Sequence, residues 1–102
     1  MQSIPLQPVP AQLTKVVLDG QNCQILLSQK TQGLFVDLNV DGVNIVTGVI
    51  ARDAVPLVSR EYAGFSGNLI FIDTQGVSDP QSSGFGDRYD LVYLTSEEND
   101  LI

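Results

Sequence analysis

Residues 33–50 read GLFVDLNVDGVNIVTGVI, and the fold is decided in this stretch. Two runs of alternating apolar residues meet at Asp41-Gly42. An Asp-Gly pair between such runs is the strongest short-range hairpin signal. Both residues tolerate the positive φ that a type I′ turn requires at its two central positions. A turn there pairs Val40 with Val43, Leu38 with Ile45, Val36 with Thr47 and Leu34 with Val49. One face of the hairpin is then almost wholly apolar. The other carries Asp37, Asn39 and Asn44, with Phe35 opposite Gly48, where a ring can cover a bare glycine.

Asp37-Leu38-Asn39-Val40-Asp41-Gly42 also matches the opening of an EF-hand calcium loop. The twelfth position of that loop should be a bidentate Glu, and counted from Asp37 it is Gly48. The flanks alternate with period two instead of forming helices. A hairpin also separates the ligands, with Asp37 and Asn39 on one face and Asp41 in the turn. The stretch is therefore read as a hairpin.

Working outward, Asp19-Gly20 marks a second type I′ turn, which pairs Leu18 with Gln21, Val16 with Cys23 and Thr14 with Ile25. The loop Lys30-Thr31-Gln32-Gly33 lets Gln29 pair with Leu34, setting Leu27 opposite Val36, Ile25 opposite Leu38 and Cys23 opposite Val40. A slip of one residue would flip a whole strand to the other face. Three separately assigned turns nonetheless place Val16, Leu18, Cys23, Ile25, Leu27, Leu34, Val36, Leu38, Val40, Val43, Ile45 and Val49 on one common face. The pattern predicts a four-stranded antiparallel meander over about residues 12–50.

Beyond it, residues 51–67 break the alternation and are read as a connection across the sheet. Val55, Leu57, Val58, Tyr62 and Phe65 are expected to cap the core, with Tyr62 also a candidate interface anchor. Residues 68–74, NLIFIDT, are apolar on both alternations, as in a strand covered on both faces. Residues 75–88 form a Gly- and Ser-rich loop with Asp73, Asp79, Asp87 and Asp90 nearby, so a cation site there is weighed against plain solvated carboxylates. Residues 89–95 make the last strand, and 96–102 an acidic, frayed tail. Pro5, Pro8 and Pro10 make residues 1–11 an extended arm, lying either on its own domain or on a neighbouring subunit. Its removal is expected to leave the fold intact. The whole reads as an all-β single domain over residues 1–102, a meander closing into a small barrel or compact sandwich of about six strands.

Composition narrows the function. The chain of 102 residues is 43% hydrophobic and 17% charged, as for a globular domain. Its net charge of −7, with five basic residues, argues against nucleic-acid binding and against docking on anionic lipid. No apolar run is long enough to span a membrane, and MQSIPLQPVPAQ lacks the basic start and apolar core of a signal peptide. One cysteine, Cys23, excludes an intrachain disulfide and is expected in the core. With no histidine, Ser-His-Asp and Cys-His arrangements are excluded. No Gly residue belongs to a phosphate loop, and every Asp and Glu fits a turn, loop or tail, so no enzymatic activity and no cofactor are expected.

Four blocks in order along the chain carry a resemblance. They are Ile4-Pro5-Leu6-Gln7-Pro8-Val9-Pro10; residues 33–49; Phe65-Ser66-Gly67-Asn68-Leu69 running into Asp73-Thr74-Gln75-Gly76; and Asp79-Pro80, then Gly84-Phe85-Gly86-Asp87-Arg88-Tyr89, then Leu91-Val92-Tyr93. Together they resemble the phage baseplate plug family of contractile-tailed bacteriophages. The resemblance implies a structural virion protein without catalysis, located in the tail baseplate and assembled in the host cytoplasm. It implies hub, spike or tube-initiating proteins as partners, together with copies of itself. Candidate assembly contacts are Ile4, Leu6, Val9, Tyr62 and Phe85, on the arm, the connection and the 75–88 loop, with strand addition at an open edge as the mode. The alternative is a β module that holds calcium or another small ligand through the 75–88 loop.

Overall fold

The computed structural model describes residues 2–58, 65–95 and 97. Its strands are β1 (Gln2–Ile4), β2 (Ala11–Leu18), β3 (Gln21–Lys30), β4 (Gly33–Val40), β5 (Val43–Ile50), β6 (Asn68–Asp73) and β7 (Tyr89–Leu94), with a 3-10 turn at Ser82–Gly84. They form two antiparallel sheets, β2-β3-β4-β5 and β1-β7-β6. The described residues thus give seven strands where about six were expected, because the arm contributes β1. No ladder among them closes the sheets into a barrel.

The meander has the register read from its turns. Val16 pairs with Cys23, Ile25 with Leu38 and Cys23 with Val40. Both Asp-Gly turns are left-handed at both positions, with φ of 50° and 73° at Asp19-Gly20 and 50° and 82° at Asp41-Gly42. That backbone twist matches the twist of the flanking strands.

The β4–β5 ladder departs from the simple pairing beyond Asn44. Val40 faces Val43, but Leu38 faces Val46 instead of Ile45, and Val36 faces Val49 instead of Thr47. Two extra residues have entered β5, one at each of two bulges. The first lets Ile45 and Val46 both turn inward, and both are buried. The second returns Val49 to the core side, where it packs against the main cluster. Gly48, at φ 63°, supplies the left-handed residue, and Asp37 Oδ1 accepts its N–H at 2.6 Å. Phe35 consequently faces Ile50, not Gly48. Val43, expected in the core, is 59% exposed at the end of the sheet.

Ile25, Val36, Leu38, Leu69 and Phe71 are fully buried in one core shared by both sheets. Ile4 and Leu6 belong to this core, and β1 pairs with β7 through Ile4↔Leu91. The arm therefore packs on its own chain, so that its removal would take Ile4 and Leu6 out of the core. A second cluster of Ile70, Val92 and Leu94, with Ile72 against it, occupies the other face of the smaller sheet. Strand β6 is thus covered on both faces, as its double apolar alternation required.

Leaving β5, the chain runs beside β6. Ala54 N–H donates to Phe71 O and Leu57 N–H to Leu69 O, both at 2.8 Å. The Asn68 side chain continues this pairing, accepting Val58 N–H at 3.0 Å and donating to Val58 O at 2.7 Å. The outer edge of β6 is closed by these bonds. Leu57, Val58 and Phe65 are buried as expected, whereas Val55 is exposed. Tyr62 and, apart from exposed Glu97, the acidic tail lie outside the described residues.

Candidate assembly surface

The 75–88 loop is organised from its base. Asp73 ends β6 with a side chain closed off from solvent. A buried carboxylate must be paired and hydrogen-bonded, and here both oxygens are used. Arg88 Nε donates to Oδ1 and Arg88 Nη2 to Oδ2, each at 2.8 Å. Gln75 N–H donates to Oδ1 at 2.9 Å and Ser78 N–H to Oδ2 at 2.8 Å. The Arg88 guanidinium, aided by those two backbone donors, holds the Asp73 carboxyl well below the usual carboxylate range despite burial.

Further ties hold the rest of the loop. Thr74 N–H and Oγ1 both donate to Arg88 O, at 2.8 and 2.7 Å. Ser82 N–H donates to Gln29 Oε1 of β3 at 2.8 Å. Asp79 accepts Asp53 N–H at 3.1 Å and meets Arg52 at 3.4 Å. Two of the four carboxylates considered for a cation are thus used by the fold: Asp73 holds an arginine and Asp79 pins the connection. No group of three or more His, Cys, Asp or Glu able to hold a metal occurs among the described residues. What the loop presents outward is Val77, 88% exposed on a turn fixed by Asp73.

The would-be calcium ligands of the β4–β5 hairpin also have structural partners. Asp37 caps Gly48, Asp41 Oδ1 accepts Asn22 N–H at 3.1 Å, and Asn39 Oδ1 accepts from Asn44 Nδ2 at 3.1 Å. Cys23 is buried, and that burial, reinforced by Asp41, pushes its thiol pKa up.

The larger sheet presents a different surface. Strand β2 is its edge, and among the described residues no strand pairs with its other side. Its alternation puts Thr14 and Val16 toward the core and Leu13, Lys15 and Val17 outward. Leu13 and Val17 are 53% and 58% exposed, and Leu26, directly across from Leu13 on β3, is 40% exposed. The other edges are short, bulged or covered: β1 has three residues, β5 carries the bulges, and β6 is flanked by residues 53–58.

The sequence-expected contacts fall unevenly on these surfaces. Ile4 and Leu6 are in the core, and Phe85 is buried with its ring stacked 5.8 Å from Phe71. Their side chains serve the interior because the arm docks at home and the loop folds inward at Ser82–Gly84. Val9 is exposed, while Tyr62 lies outside the described residues. Sequence reasoning missed Leu13, Val17 and Leu26, although the apolar residues on the outward alternation of β2 were a usable signal. It also missed the Asp73–Arg88 pair, which no local spacing announces.

No helix among the described residues is long and apolar enough to cross a membrane. No curated protein matches the chain. A family model described as cyanophage baseplate Pam3 plug gp18 matches residues 1–97, which include both sheets and the 75–88 loop. The chain therefore belongs to the cyanophage baseplate Pam3 plug gp18 family.

Proposed function

We propose that this protein acts by assembly: it is a single rigid β domain that binds neighbouring baseplate proteins at the centre of a contractile tail. The observation that carries this reading is the family match over residues 1–97, which gives the chain a structural role in the phage baseplate and places it in the virion tail. The geometry supports the finer statement. Asp73, Asp79, Asp37 and Asp41 all have structural partners, and their chemistry is spent on holding loops and turns. The surface instead offers apolar side chains on fixed backbone: Val77 on the braced loop, Val9 on the arm, and Leu13 and Val17 on an open strand edge. Strand addition gives affinity through backbone pairing without needing charge. Partners are the hub, spike or tube-initiating proteins, with further copies of the chain in a ring, assembled in the host cytoplasm. Function requires no catalytic step and no cofactor.

Co-expression with the products of neighbouring tail genes, followed by size-exclusion chromatography with light scattering, tests this reading. Elution in a complex of defined mass is expected. A protein that stays monomeric beside every tail protein would overturn it.

A further inference from the structure

Strand β2 carries an unusual charge. Among the described cations, Arg88 is paired with Asp73, Arg52 meets Asp79, and Lys30 lies 5.3 Å from the centre of the Phe35 ring. Lys15 has no such partner. It stands exposed midway along β2 on the outward alternation, between Leu13 and Val17, on a chain of net charge −7. Its cross-strand neighbour on β3 is Gln24, which brings no opposite charge.

We infer that the open edge of β2 receives an extended segment of a different protein, one that presents an acidic residue opposite Lys15 with apolar residues two positions to either side. This names the partner chemistry of the assembly reading above and rests on it. Backbone pairing would use the free side of β2, while the outward alternation sets the side-chain code of apolar, cationic, apolar. The partner's code must be apolar, acidic, apolar.

Charge argues against a second copy in this position. An antiparallel two-fold pairing that sets Leu13 against Val17 across the dyad also brings the two copies of Lys15 face to face. Like charges directly opposite are destabilising. An acidic residue opposite Lys15 replaces that like-charge pair with an opposite-charge pair.

The experiment uses the full chain in complex with the baseplate proteins that co-purify with it. Zero-length carbodiimide coupling followed by mass spectrometry should join Lys15 to an Asp or Glu in an extended segment of another protein. Lys15→Glu should weaken the complex at least tenfold in Kd, and changing the cross-linked acid to Lys should recover part of the loss. Val17→Lys, at an exposed position, should also weaken it while leaving the melting temperature unchanged. Coupling of Lys15 to another copy of this chain, or a Kd within twofold for Lys15→Glu in an intact complex, would overturn the edge assignment and leave baseplate assembly standing. The absence of any complex would overturn both.

Discussion

Asp73 is the residue on which the loop turns, and its ionisation has a measurable consequence. Its folded pKa is held below the unfolded value, mainly by Arg88. The stability it contributes is therefore fully present above the unfolded carboxylate pKa of about 3.9 and drains away as pH falls from about 5 through that value and below. Melting curves from pH 7 to pH 3 should show the wild-type protein losing stability over that window, with Asp73→Asn less stable at pH 7 and less pH-dependent. Equal slopes for the two proteins would refute the role given to the pair. Deeper in the molecule, Leu38 is fully buried on a central strand. Leu38→Ala should cost about 2–5 kcal/mol in denaturant unfolding, the range for a buried leucine whose cavity cannot collapse. Leu38 was legible in the sequence, because three turns agreed on its face. Asp73 and Arg88 were not, because fifteen residues separate them and only the antiparallel return of β7 beside β6 brings them together.

At the scale of the element, two glycines divide backbone conformation from space. Gly48 has φ 63° with nothing within 4 Å of where a Cβ would stand. Gly48→Ala should cost only the left-handed backbone penalty, about 1–2 kcal/mol. Gly67 has φ 98°, and an added Cβ would collide with Leu94 O and the Tyr93 ring. Gly67→Ala must also push β7 aside, so it should cost more than Gly48→Ala in the same unfolding experiment. Equal costs would mean that Leu94 yields freely. The contrast bears on what could be read in advance. Asp41-Gly42 announces its turn because the requirement lies within two adjacent residues. The bulges in β5 depend on which of Ile45 and Val46 the core accepts, and the core accepts both.

Taken whole, the described residues close the interior with the N-terminal arm and leave one long strand edge without a partner strand among them. Deleting residues 1–10 removes Ile4 and Leu6 from the core and β1 from β7. Burial of two such side chains is worth on the order of 3 kcal/mol or more, so the deletion should lower the melting temperature markedly, where a free arm would leave it unchanged. Val77→Ser, by contrast, should leave stability within about 0.5 kcal/mol and weaken co-elution with baseplate proteins. Unchanged co-elution would remove the loop tip from the contact surface. The sequence by itself determined the β class, the meander of β2 to β5 with its first two registers, and the double coverage of β6. All of these follow from period-two alternation and turns whose demands are local. Only the tertiary structure decided that the arm docks at home, that two antiparallel sheets share one core, and that Asp73 holds Arg88. Those outcomes rest on contacts between residues far apart in the chain, whose pairing is set by which surfaces remain to be buried once the local elements have formed.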